Sequence, residues 1–154
     1  MIDVKSMLPK NHFLLHFKES GQDKIFRALA QPLVDDGIVT DLDRFVADVA
    51  KREAQITTQI CKLIAMPHAR SDAARRLGVT VAVTDAPGIS FSKEAKTKCR
   101  IFFLIAVPSF APTAHLALLQ GLVHFAQDEK RVAKLLAATT APQAATCITS
   151  FKWE

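Results

Sequence analysis

The chain has 154 residues, which suits one compact domain and is short for two, so we expect a single domain over residues 1–154. Hydrophobic residues make up 49% of it and charged residues 23%, a globular balance that excludes an intrinsically disordered chain. The net charge of +5 is mild and the basic residues are mostly scattered, which argues against a dedicated nucleic-acid-binding surface.

The cysteines are too few and too dispersed for a disulfide framework or a zinc knuckle; they are Cys61, Cys99 and Cys147. No N-terminal apolar run has the length of a signal peptide. The longest apolar run, residues 101–107, is far too short to span a membrane. We therefore expect a soluble protein of the reducing cytoplasm.

The first part of the chain predicts a strand and then a helix. Residues 12–17 contain a Phe-Leu-Leu triplet typical of a first strand. Apolar residues recur at helical spacing across residues 25–33, and Ser20 begins a capping-box pattern before them. Gly37 is a suitable stop, whereas Pro32 would kink this helix or end it early.

A second helix is predicted after Thr40, which also begins a capping-box pattern. Apolar residues at i, i+3, i+4 and i+7, counted from Leu42, form the stripe of an amphipathic helix. Arg52 and Glu53 lie near the C-terminal end of this helix.

Strands are predicted in the middle of the chain. Residues 60–66 are mostly apolar and stop at Pro67, which indicates a strand ended by a proline. Residues 77–83 alternate larger apolar residues with small ones, the pattern of another strand. Residues 101–107 form a continuous apolar run that stops at Pro108, which suits a central strand covered on both faces.

Helices complete the chain, one over about residues 112–127, one from near Asp128 and one from Thr140. The first is expected to bury the stripe of Leu116, Leu119, Val123 and Ala126. The order of strand, helices, strands and helices predicts an α/β single-domain sandwich. Its sheet is expected to be mixed and mostly parallel, with about five strands and with helices on both faces.

Two histidines follow strands of the predicted sheet. His68 comes directly after the strand that stops at Pro67, and His115 lies in the first turn of the helix that follows residues 101–107. Ligands of open α/β sheets bind beyond the carboxyl ends of strands, and helix N-termini favour phosphate. If the two strands are neighbours, both imidazoles meet in one crevice. His68 taken alone would more often be an ordinary exposed or hydrogen-bonded histidine.

The remaining histidines are interpreted as residues without a special role. His12 and His16 could share one face of a strand, but no neighbouring carboxylate or cysteine completes a metal site, and His124 lies alone. Arg52 also has a plain structural interpretation, as a cation that complements the dipole at the C-terminus of its helix.

A longer pattern surrounds His68. It runs from Arg52-Glu53 through Thr58 and Ile60 to Ile-Ala-Met-Pro-His-Ala-Arg at residues 64–70. It resembles the active-site signature of the enzyme IIA domains of the phosphoenolpyruvate-dependent phosphotransferase system, in the fructose–mannitol class that includes the nitrogen-regulatory proteins. In that family an Arg-Glu pair precedes a Thr-Gly-Ile-Gly-x-Gly-Ile-Ala-Ile-Pro-His run, and the final histidine takes up a phosphoryl group.

The resemblance continues downstream and covers nearly the whole chain in the same order. Residues 88–91 look like the family's turn before its central strand, and residues 101–108 look like that strand. Residues 114–116 with Leu119 match the segment that holds the family's second active-site histidine. The C-terminal helices fit as well.

The resemblance implies a role for each group. His68 would be phosphorylated on a ring nitrogen by the histidine phosphocarrier protein. Arg52 would clamp phosphoryl oxygens with its planar fork, and His115 would orient the phosphoryl group. This scheme requires neither a metal nor an organic cofactor.

The chain departs from the family at three glycines, whose places are taken by Gln59, Cys61 and Leu63. Side chains at these positions should alter the loop or crowd the docking face, because glycine permits positive φ and close approach. A degenerate regulatory module that binds partners without phosphotransfer is therefore a second hypothesis. A basic nucleic-acid-binding module is a third.

Two roles are open within the carrier hypothesis. A sugar-specific enzyme IIA passes its phosphoryl group to an enzyme IIB, whereas a nitrogen-regulatory protein controls target proteins. A single domain without an attached transporter segment favours the regulatory type. Either role needs an apolar docking surface, for which Leu63, Ile64 and Met66 are candidates, although they would equally suit the core.

Overall fold

A mixed β-sheet forms the centre of the part of the chain that the computed structural model describes, residues 4–91 and 98–150. Its strands are β1 (Phe13–Leu15), β2 (Gln59–Cys61), β3 (Ile64–Ala65), β4 (His68–Ser71), β5 (Gly78–Val83) and β6 (Ile101–Pro108). The expected α/β class is confirmed. The segment predicted as one strand over residues 60–66 is divided into β2 and β3, and β4 follows it.

β6 is the central strand. It pairs antiparallel with β5 and parallel with β3 and β4, which both lie on its other side. β1 pairs parallel with β5, and β2 pairs antiparallel with β3. All 8 residues of β6 are buried, as its continuous apolar run predicted.

Helices cover both faces of the sheet, as predicted. The bounds are α1 (Val4–Met7), α2 (Gln22–Asp35), α3 (Leu42–Gln55), α4 (Leu116–Ala126), α5 (Glu129–Ala137) and α6 (Ala141–Thr149), and a 3-10 turn spans Lys10–His12. α2 and α3 pack on one face, and α1, α4, α5 and α6 pack on the other. None of the helices within the described residues is long and apolar enough to cross a membrane.

The pleat of β6 divides its side chains between the two cores. Phe102, Leu104 and Ala106 pack beneath α2 and α3. The alternate residues, Ile101, Phe103, Ile105 and Val107, pack beneath α4 and its neighbours. Successive residues of a strand point to opposite faces, so a strand covered on both sides must be apolar at every position.

The ends of α2 differ from the prediction in two respects. Its N-cap is Gly21, at φ 87°, so Ser20 does not cap it. Pro32 does not end the helix, because regular bonding resumes beyond it and the Asp36 N–H donates to the Pro32 carbonyl at 3.2 Å. Gly37, at φ 72°, closes the following turn as predicted.

The N-cap of α3 is one residue later than predicted. The Asp41 side chain accepts a hydrogen bond from the Arg44 N–H at 3.1 Å. The Thr40 hydroxyl instead donates to the Ala73 carbonyl at 3.1 Å, which removes it from the cap. The N-caps of α5 and α6 are those predicted.

α4 begins later than the predicted span of residues 112–127. Of the predicted stripe, Leu119, Val123 and Ala126 are partly buried against the core, but the fully buried stripe is a neighbouring one. Leu118, Leu122 and Phe125 are the large apolar residues that it buries, whereas Leu116 is 51% exposed. The apolar residues at this end of the chain are dense enough to fit two helical stripes. The true stripe is the one that faces β6.

Candidate active site

His68 begins a strand instead of following the end of one. β3 and β4 run in line along the same side of β6, with Ile64 opposite Ile101 and His68 opposite Ile105. Pro67 separates them because it has no N–H for the ladder, although its carbonyl still accepts from the Ile105 N–H at 3.0 Å. The prediction that His68 lies beyond a strand end is therefore wrong. It is the first residue of β4, directly after the two residues that separate β4 from β3.

The imidazole of His68 is oriented by the backbone beside it. Its Nδ1 lies 2.8 Å from the Met66 carbonyl oxygen. Because a carbonyl oxygen only accepts hydrogen bonds, Nδ1 carries the proton and its N–H donates to the Met66 oxygen. In the neutral ring this leaves Nε2 with the free lone pair, and the half-buried ring stays in reach of solvent.

Burial lowers the pKa of His68 below its ordinary value of 6.5, because the charged form loses hydration. The bond to the Met66 carbonyl opposes this effect, and the positive charge of Arg52 adds to the lowering. The ring is therefore neutral at pH 7, which is the form that can act as a nucleophile.

The second histidine meets this ring. His115 is the N-cap residue of α4 and is 3% exposed. The centroids of the His68 and His115 rings are 5.7 Å apart, with 39° between their planes. The His115 Nδ1 is buried without a hydrogen-bond partner among the described residues. Burial, followed by the charges of His68 and Arg70, lowers the pKa of His115.

The topology explains why the two rings meet. β4 and β6 are neighbours, and His68 lies opposite Ile105, whose side chain packs on the face covered by α4. The chain leaves β6 at Pro108 and returns over this face, where His115 starts α4. One ring comes from the sheet and the other from the helix that covers it.

Arg52 is close enough to act electrostatically on His68, but its hydrogen bond is structural. It lies in the last turn of α3, and one of its terminal nitrogens donates to the Ile56 carbonyl at 3.0 Å. The expected helix C-terminal cation is thus observed. Glu53, the next residue, is buried and accepts hydrogen bonds from the N–H group, at 2.9 Å, and the hydroxyl group of Thr58. This carboxylate ties the end of α3 to the segment before β2.

The residues that replace the family's glycines are accommodated without strain. Gln59, Cys61 and Leu63 all have negative φ, since His16 is the non-glycine residue with positive φ among those described. The Gln59 side chain turns back and donates to the carbonyls of Cys61 and Lys62 at 3.1 and 3.2 Å. The two arms of this segment pair antiparallel as β2 and β3, with Lys62 and Leu63 in the turn between them.

The apolar surface near the site is not the one predicted. Ile64 and Met66 are buried in the core, and Leu63 packs against it. The exposed large hydrophobic residues of the described chain are instead Ile56, Phe110 and Leu116, at 67%, 77% and 51%. We call these three the apolar rim. Each adjoins a site element: Ile56 accepts the bond from Arg52, Leu116 follows His115, and Phe110 lies in the loop before it.

Two of the other histidines, His12 and His16, have structural partners. His12 is 1% exposed and bridges the Val79 carbonyl and the Asp36 carboxylate, at 2.9 and 2.6 Å. His16 is exposed and lies 2.8 Å from Asp85. Both carboxylates come from distant parts of the chain, so sequence proximity could not reveal them. Among the described residues, no three metal-ligating side chains gather around either ring.

We expect proton NMR to give His68 a lower pKa in the folded chain than in the urea-unfolded chain, because burial disfavours the imidazolium. The unfolded chain then binds more protons in the window between the two pKa values. Protonation of His68 therefore lowers the free energy of unfolding as the pH falls below about 6.5. A folded-state pKa for His68 at or above its unfolded value would contradict this electrostatic description.

The comparisons agree with the sequence pattern. Residues 6–150 match the family model described as phosphoenolpyruvate-dependent sugar phosphotransferase system, EIIA 2. The fructose-specific EIIA component of the phosphotransferase system of Haloferax volcanii is 29% identical over 136 residues, which are 88% of this chain and 88% of that protein.

Solved structures share the fold. The nitrogen regulatory protein IIA-Ntr from Neisseria meningitidis superposes with a TM-score of 0.83 and 17% identity, covering 94% of this chain and 98% of that one. Enzyme IIA for mannitol from Escherichia coli, in its complex with phosphorylated enzyme IIB, gives a TM-score of 0.78 and 20% identity, covering 93% of this chain and 97% of that one.

Proposed function

Because this chain belongs to the EIIA 2 family of the phosphoenolpyruvate-dependent sugar phosphotransferase system, we propose that it carries a phosphoryl group on Nε2 of His68. The observation that carries the proposal is the orientation of that ring. Its Nδ1 is hydrogen-bonded to the Met66 carbonyl at 2.8 Å. The centroid of the ring lies 5.7 Å from that of the His115 ring. The donor we propose is the histidine phosphocarrier protein, and the place of action is the cytoplasm.

The transfer exchanges one phosphorus–nitrogen bond for another. Nε2 of neutral His68 attacks the phosphorus of the donor phosphohistidine, and the bond to the donor breaks with its electron pair returning to the donor ring. The Nδ1–H remains on the Met66 carbonyl, so His68 releases no proton. The positive charge that develops on the phosphorylated ring is stabilised by that carbonyl oxygen.

His115 and Arg52 serve the phosphoryl oxygens in this proposal. His115 has a neutral ring because burial lowers its pKa, and its Nδ1 has no partner among the described residues. We propose the tautomer that carries the proton on Nε2, because from there it can donate to a phosphoryl oxygen. The guanidinium of Arg52 retains N–H groups beyond the one bound to Ile56, and these can clamp the oxygens.

The apolar rim supports docking of a protein donor. Phe110 and Leu116 lie exposed on the segment that carries His115, and we expect a partner that reaches His68 to contact them. Burying such side chains stabilises a complex and excludes water from the transfer.

We expect Phe110→Ser to raise the KM for the phosphorylated phosphocarrier about tenfold, since an exposed phenylalanine contributes mainly by burial in the complex. The kcat should change little, because Phe110 does not touch the reacting atoms. Steady-state phosphorylation kinetics measure both constants. The matched control is the same variant with phosphoramidate, a small donor that needs no docking. An unchanged KM for the protein donor would remove Phe110 from the docking surface.

The test of the proposal is incubation of the chain with enzyme I, the histidine phosphocarrier protein and labelled phosphoenolpyruvate. We expect an acid-labile label on His68. A chain that takes up no label, yet binds the phosphocarrier, would instead be a regulatory module without phosphotransfer. A chase of the labelled chain with enzyme IIB distinguishes the sugar-transport role, in which the label moves on, from a nitrogen-regulatory role, in which it stays.

A further inference from the structure

The side chain of Arg70 projects from β4 on the same face of the sheet as that of His68. The two residues are two positions apart on the strand, so their side chains share a face. The residues opposite them on β6, Ile105 and Val107, pack in the cluster beneath α4. Ala69, which lies between them, packs in the cluster on the other face. Arg70 therefore stands on the face of the sheet where the two histidine rings meet.

The guanidinium of Arg70 is not committed to another group. It is exposed, and within residues 4–91 and 98–150 it makes no hydrogen bond or ion pair. Burial is the first cause of the lowered pKa of both His68 and His115, and the charge of Arg70 is a further cause for each ring. Arg52, by contrast, contributes to the shift of His68 and already donates to a backbone carbonyl.

We propose that Arg70 anchors the phosphoryl group, binding its oxygens as the group reaches Nε2 of His68 and while it stays there. This inference rests on the proposed function. A phosphoryl group on histidine carries about two negative charges, and a guanidinium recognises such oxygens with paired, charge-assisted hydrogen bonds. An arginine placed beside both rings and free of other partners is suited to supply them.

The experiment separates anchoring from docking by using a small donor. Phosphoramidate transfers its phosphoryl group to His68 with loss of ammonia, so no partner protein contributes to the rate. We expect Arg70→Gln to lower this rate by on the order of tenfold to a hundredfold, the effect of losing charge-assisted hydrogen bonds. Arg70→Lys should recover part of it. Arg75→Gln is the matched control, because Arg75 is an exposed arginine in the turn after β4.

Two readouts report on Arg70 without transfer. In Arg70→Gln, NMR titration should give higher pKa values for His68 and His115 than in the wild type, because a nearby positive charge is removed. Inorganic phosphate should perturb the ring resonances of both histidines in the wild type, with an affinity about tenfold lower in Arg70→Gln. Neither change is expected in Arg75→Gln.

The outcomes are distinguishable. If Arg70→Gln is labelled by phosphoramidate at the wild-type rate, Arg70 does not anchor the phosphoryl group. If its labelling is then slower only with the protein donor, Arg70 is a docking residue. If the wild type takes up label from neither donor, the proposed function fails. The phosphate titration still decides whether Arg70 binds the anion beside the two rings.

Discussion

The His68→Ala variant is expected to lose phosphorylation by at least about a thousandfold, down to background. No other group can replace the nucleophile, because the neighbouring His115 is 3% exposed and its Nδ1 is buried. The fold should persist, since the His68 ring is half-buried and its hydrogen bond goes to the neighbouring Met66 carbonyl. Loss of that bond costs about 1 kcal/mol.

Labelling kinetics and a thermal melt of the same preparation test this expectation. His124→Ala is the matched control, because His124 is an exposed histidine near the end of α4 and should label at the wild-type rate. His115→Ala should slow labelling by about tenfold to a hundredfold without abolishing it, since the acceptor remains while one hydrogen-bond donor is lost. Uptake by His68→Ala at the normal rate would show that the acceptor lies elsewhere.

Gly88→Ala is expected to lower the free energy of unfolding by about 2–4 kcal/mol. Gly88 adopts φ +95°, where residues with a Cβ are strained, and an added Cβ would lie 2.6 Å from the Cys99 carbonyl oxygen. That oxygen cannot easily move, because the Cys99 carbonyl accepts the Ile89 N–H at 2.9 Å and the Cys99 N–H donates back at 2.8 Å. The turn before β6 must therefore distort.

Gly37→Ala is the matched control for this effect. Gly37 also has positive φ, at +72°, but an added Cβ there would meet no atom within 4 Å. Backbone strain alone should cost about 1 kcal/mol. Urea denaturation of the two variants therefore isolates the contribution of the clash at Gly88. Equal losses of unfolding free energy in the two variants would mean that the turn beside Cys99 shifts to relieve the clash at little cost.

The sequence determines the central features of the fold because they depend on local pattern. Residues 101–107 can be buried on both faces only in a central strand, and the i, i+3, i+4, i+7 stripe from Leu42 can be buried only as a helix. The stripe of α4 was misjudged because its segment is apolar on several sides. Only the packing against β6 selects Leu118 over Leu116.

The candidate site was predictable in its histidines but not in its surroundings. The sequence predicts that the two rings meet if their strands are neighbours; β4 and β6 are neighbours, and the rings do meet. The sequence does not indicate Arg70 as a site residue, because it predicts that the strand stops before His68, and side chains alternate between two faces only within a strand. Once His68 is known to begin β4, the alternation of a strand puts Arg70 beside it. The residues of the apolar rim are recognised by their solvent exposure, which the periodicity of the sequence does not predict outside regular elements.

The folded-back Gln59 side chain has a consequence for the entropy of the loop. Each residue that replaces a glycine at negative φ reduces the conformational freedom of the unfolded chain, by about 0.4–1 kcal/mol. In the folded chain the two bonds from Gln59 to its own loop restrain this segment. A stiff loop loses less freedom on association but adapts less to differing shapes. We therefore expect this loop to bind a partner that matches its shape at a smaller entropic cost, and to bind partners of other shapes less well.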